Sequence, residues 1–138
     1  MARKPGRTQL CTAADARARR EHARKFLEVA ELVALEEPDN PESCNVAASL
    51  AVLAGIAACD AACCDALEGS RGQDHRDAEA LVAQIEPDGE TASRQLRRLL
   101  NVKDTAQYGF INLGGAELRG VMRQAAHLLS FAEQVRGR

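Results

Sequence analysis

Apolar residues recur along most of the chain three or four positions apart, the spacing of one helix face, and turn-forming residues cut this pattern into five segments. Thr12 or Asp15 is placed to cap a first helix running to about Glu36. Its apolar stripe is Ala16, Ala23, Phe26/Leu27, Ala30 and Val33. The stretch EEPDNPES, with Pro38 and Pro41, breaks it. Ser43 predicts the cap of a second helix that ends near Gly69. This helix is apolar almost all round: Val46, Leu50, Leu53, Ala57, Cys64 and Leu67 on one side, Val52, Ile56, Cys59 and Cys63 on another. A helix without a polar face must be central, either in a bundle or at a subunit interface.

GSRGQ reads as a turn, and Asp74 is placed to cap a short third helix whose inward face is Ala78, Leu81, Val82 and Ile85. EPDG closes it. A fourth helix is predicted from about Thr91 to Tyr108, with the stripe Ala92, Leu96, Leu99/Leu100, Lys103 and Ala106, and Gly109 stops it. A fifth, from Ala116 to Val135, turns Leu118, Val121/Met122, Ala125, Leu128/Leu129 and Ala132 inward. No stretch alternates with period two, so no strands are expected. The expectation is an all-α fold: an antiparallel four- to five-helix bundle over residues 12–138, preceded by a basic flexible arm over residues 1–11.

With 138 residues and 14.8 kDa the chain suits one domain with its own core. Three Phe, one Tyr and no Trp argue against nucleic-acid folds that stack bases on several exposed rings. The formal net charge of −2 conceals three blocks. Residues 1–25 carry 8 Lys/Arg against 2 Asp/Glu, residues 26–90 carry 2 against 15, and residues 91–138 carry 8 against 3. Either the basic ends and acidic middle neutralise each other within the bundle or across a dimer, or Arg94, Arg97, Arg98, Arg119 and Arg123 build a phosphate-binding face.

The five cysteines are Cys11, Cys44, Cys59, Cys63 and Cys64. An odd number, three of them within one apolar helix, does not read as a secreted disulfide framework. Met1–Leu10 lacks the apolar run of a secretory signal, and the longest apolar stretch, from Val46 to Cys59, falls short of a membrane span. A cytoplasmic, reducing setting and no membrane partner are therefore expected. Cys59 and Cys63 share a helix face and could ligate metal with His75 or Asp60, but zinc sites need four ligands at recognisable spacing. Buried thiols, with no metal and no cofactor, are the expectation.

Three groups of side chains could carry chemistry. Asp60 and Lys103 both stand where the helical period calls for an apolar residue. Either they pair between the second and fourth helices, or each reaches solvent by snorkelling. His75, at a helix start beside Arg71, Asp74 and Arg76, could be an acid/base or a phosphate contact, or an ordinary surface histidine. Lys103 and Tyr108, with Asp104 and Gln107 between them, could meet a phosphodiester if Gly109 loosens the helix end; alternatively Tyr108 closes the bundle.

The helix order, the AACDAACC stretch of the second helix and the fourth-helix ending LLNVKDTAQYG resemble the HEPN superfamily over roughly residues 15–135. That resemblance implies a four- to five-helix bundle that homodimerises. Many HEPN domains are metal-independent endoribonucleases of toxin–antitoxin, CRISPR and antiphage systems. Their motif is an Arg followed after four to six residues by a His, at the dimer cleft. Some carry an Arg-x-x-Ala-x-Tyr version beside a nucleotidyltransferase partner. Here Lys103, Ala106 and Tyr108 match that version, with Lys in place of Arg, and Gln107 and Tyr108 stand where the His would fall. The resemblance implies an RNA-associated or defence-linked domain with a degenerate RNase site built from Lys103, Asp104, Tyr108 and His75. Asp60, Arg71, Asp74, Arg76, Arg97 and Gln107 are candidate binding residues. The other reading is a non-catalytic helical module that binds another protein.

Overall fold

A computed structural model describes residues 8–67, 69–72, 74–109 and 112–138. Five helices form an antiparallel bundle: α1 Ala13–Glu36, α2 Pro41–Ala66, α3 His75–Val82, α4 Gly89–Tyr108 and α5 Gly115–Arg136. The all-α expectation holds, with one addition. Thr8–Leu10 (β1) and Ser70–Gly72 (β2) form an antiparallel ribbon, with Thr8 opposite Gly72 and Leu10 opposite Ser70. The expectations of no strand and of a flexible arm as far as residue 11 are thus corrected over residues 8–11. Three-residue strands are too short to show alternation, and a long-range partner creates them. Residues 1–7 of the arm lie outside the described residues.

The helix starts follow from their caps. Thr12 accepts from the Asp15 amide while Asp15 accepts from the Thr12 amide, a reciprocal capping box. α2 begins at Pro41, three residues before the start that a Ser43 cap implies. The Asn40 side chain caps it by accepting from the Ser43 amide. Pro41 sits in the first turn, where its missing N–H costs nothing, so one proline, Pro38, follows the end of α1 and the other, Pro41, opens α2. Asp74 caps α3 as expected, accepting from the Asp77 amide.

α2 is buried along most of its length, with Ala47, Ala48, Ala51, Val52, Ala54, Ala57, Ala58 and Cys59 fully covered. By length and composition it could cross a membrane, yet 78% of its most apolar window lies inside the bundle. Gly55 is the point of closest approach. A Cβ there would collide with Leu99 of α4 and come within 3.2 Å of Leu128 of α5. A bare backbone therefore lets two neighbouring helices close on α2 at the same level.

Ion pairs join α1 to the far end of α2. Arg19 donates from Nε (3.1 Å) and Nη2 (2.9 Å) to Asp60 Oδ2. Arg20, only 5% exposed, pairs with Asp65. The proposed Asp60–Lys103 pair is not how Asp60 meets its cation. α2 and α4 run antiparallel and pack at Gly55 and Leu99, so Lys103 lies about 13 Å along the axis from Asp60.

Two stability outcomes follow. Gly55→Val should destabilise by about 2 kcal/mol or more, read as a lower urea midpoint, because its branches meet two packed leucines. Arg20→Ala should cost about 3 kcal/mol by stranding a partly buried Asp65. Arg20→Ala with Asp65→Ala should cost less than the sum of the two single changes, which a double-mutant cycle measures.

Candidate nucleic-acid interface

The C-terminal end of α4 gathers the residues of the family-like motif. The helix stays intact through Tyr108. Lys103 Nζ lies 5.8 Å from the centroid of the Tyr108 ring, within cation–π range, without any loosening at Gly109. Tyr108 is 73% exposed, so it does not close the bundle. Asp104, one turn before Tyr108, is exposed, and Lys103 and Gln107 are half-buried. This corner presents a cation, a phenol and a carboxylate to solvent.

A groove of about 230 Å³ lies between the first half of α4 and the last half of α5, lined by Thr91, Gln95, His127 and Gln134 among others. Gln95 Nε2 and His127 Nδ1 meet across it at 3.3 Å. Arg98 follows Gln95 by three positions and Arg123 precedes His127 by four, so in this antiparallel pair both fall one turn further along the same groove. Arg119 stands a further turn along α5. Arg94, Arg98, Arg119 and Arg123 are exposed, and among the described residues none of them forms an ion pair. Gln124, beside Arg123, has a buried Oε1 with no hydrogen-bond partner among the described residues. Arg97 differs: its Nε donates to Glu79 at 3.1 Å, which holds it against α3.

His75 opens α3, half-buried, with Asp74 exposed as the cap and Arg76 exposed beside it. Arg71 is placed by its backbone in β2, opposite Gln9, and its side chain lies outside the described residues. α3 runs antiparallel to α4, with the Ser93 hydroxyl donating to the Glu79 carbonyl. His75, one turn before Glu79, is thus level with about Arg97 and roughly 9 Å along the axis from Lys103. The fold puts His75 near Arg97 and Glu79 and leaves Lys103 and Tyr108 without an adjacent imidazole.

Asp60 belongs to a third place. It is 8% exposed and, with Arg19, Asp15, Ala18 and Leu10, lines a cleft of about 450 Å³ beneath β1. Cys59 and Cys63 lie behind it as free, buried thiols. Burial, then the charge of Asp60, pushes the Cys63 thiol up to about 12; burial, then Cys63 and Asp60, raises Cys59 well above its ordinary value. Among the described residues no three His, Cys, Asp or Glu side chains are placed to share a metal ion. Sequence reasoning missed the Cys11–Cys64 disulfide and the Arg19–Asp60 pair. No family model matches the chain, and no curated protein matches it.

The raised thiols predict a signed pH effect. Their protonated form is favoured in the fold, so that stability is complete below pH 9 and declines as pH rises from about 9 towards 12. Cys63→Ala should flatten that decline in urea titrations at pH 8 and pH 10.

Proposed function

We propose that this chain is a HEPN-like helical domain that binds RNA along the α4–α5 groove. It acts in the cytoplasm as a homodimer, or with an antitoxin or nucleotidyltransferase-like partner. The supporting observation is the set of exposed arginines on α4 and α5 that form no ion pair among the described residues, together with Lys103 and Tyr108 in contact at the end of α4. Guanidinium groups pair with phosphate oxygens through a planar fork, and their release of counterions drives binding to any single strand. At the end of the groove the Lys103 ammonium supplies point charge and the Tyr108 hydroxyl donates to a phosphate oxygen. Asp104, alongside, accepts a hydrogen bond from a ribose hydroxyl.

Cleavage is the weaker half of this reading. Attack by a 2′-hydroxyl needs a base within hydrogen-bond reach, and His75 stands along α3 beside Arg97 instead. RNA binding should therefore exceed RNA cleavage, and any cleavage should persist in EDTA. A second reading, a protein-binding helical module, draws on Leu32, Leu35 and Val46, which are 53%, 80% and 52% exposed on α1 and α2.

The test is RNA binding across a salt series with cleavage assayed in EDTA. Binding should weaken with salt, and Arg98→Ala with Arg123→Ala should reduce the log–log slope by about 1.4. Lys103→Ala and Tyr108→Phe should remove residual cleavage. No binding even at low salt would leave the protein-binding module as the function.

A further inference from the structure

The N-terminal strand is attached to the bundle in an unusual way. Thr8, Gln9 and Leu10 are all exposed, and the buried core begins only at Ala16. What holds β1 is its short ladder with β2, a hydrogen bond from the Cys11 amide to the Gly69 carbonyl, and the Cys11–Cys64 disulfide. Gly69 has φ +74, and a Cβ there would come within 2.6 Å of the Cys11 carbonyl oxygen, so the crossing is built for close backbone contact. β2 in turn leads directly to the Asp74 cap and His75. The disulfide is thus a cross-link, outside the main chain, from the residue that follows β1 to the end of α2.

We propose that Cys11–Cys64 is a reversible thiol–disulfide exchange site that latches the ribbon over the Arg19–Asp60 cleft and is opened by a dithiol reductant without unfolding the bundle. The two sulfurs differ in access. Cys11 is half-exposed and Cys64 is 6% exposed, so an incoming thiolate attacks Cys11 Sγ. The S–S bond breaks, Cys64 leaves as a thiolate and takes a proton. The second thiolate of the reductant then attacks the mixed disulfide, and Cys11 leaves and takes a proton. The protein gains two electrons and two protons, and the dithiol becomes a disulfide.

Two features suit the bond to this role. The side chains of β1 are themselves exposed, so releasing the strand withdraws none of them from the core, and Leu10 stands at the rim of the cleft. The neighbouring thiols do not compete for the bond: Cys59 and Cys63 are buried and stay protonated at neutral pH, so neither supplies the attacking thiolate. This device is independent of RNA binding at the α4–α5 groove.

The test uses the full chain, oxidised and then treated with dithiothreitol at neutral pH without denaturant. Alkylation and peptide mapping should show two new thiols, at Cys11 and Cys64. Helical circular dichroism should be retained. Amide exchange over residues 8–12 and 69–72 should rise about tenfold or more, with α4 and α5 unchanged. Cys11→Ser should show the open exchange pattern under oxidising conditions, and Cys63→Ser the closed one. The proposal is overturned if the bond forms in no oxidising buffer, resists reduction until denaturant is added, or takes the helical signal with it when reduced. Unchanged exchange in the ribbon after reduction would also overturn it.

Discussion

The absence of a polar face on α2 is the constraint from which the architecture follows. Twenty-six residues that are apolar nearly all round cannot face water, so other helices must cover them on several sides. α1 lies along one side; α4 and α5 close on another, where Gly55 lets Leu99 and Leu128 approach the backbone. The small residues of α2 set how near the neighbours come, and the leucines of those neighbours supply the volume that alanines lack. Since α4 and α5 commit their apolar stripes to α2, their arginines have only the outer surface left.

Charge is distributed by the same geometry. The basic block of residues 1–25 meets the acidic end of α2, through Arg19 with Asp60 and Arg20 with Asp65. Arg24 reaches Glu133 of α5. Internal neutralisation therefore accounts for much of the first basic block. It does not account for the second, because Arg94, Arg98, Arg119 and Arg123 are exposed and form no ion pair among the described residues. Internal neutralisation thus holds for part of the chain, while exposed arginines stand on α4 and α5 and a lysine and a tyrosine meet at the end of α4.

The candidate chemistry is divided rather than gathered at one centre. Lys103 and Tyr108 share one helix end; His75 sits with Arg97 and Glu79; Asp60 lies under the ribbon with Arg19. Along-axis separations of about a nanometre between these places exceed the reach of a hydrogen bond. Asp60 serves the contact of α1 with α2 through Arg19, and Cys11 and Cys64 tie the end of the N-terminal strand to α2.

Helix number, order and inward faces were legible in the sequence, because a 3.6-residue apolar period is a local property that burial then enforces. So were the caps Thr12 and Asp74, whose side chains act within three residues of themselves. Arg20 was legible by the rule that singled out Asp60 and Lys103, since it fills the stripe position between Ala16 and Ala23. Its partner was not, and neither were Arg19 for Asp60, Cys64 for Cys11 or β2 for β1. Those pairings join residues 41 to 64 positions apart, and no local period encodes them. Only the packing of α1 against α2, with the ribbon folded back across their ends, decided which charge met which and which thiols came together.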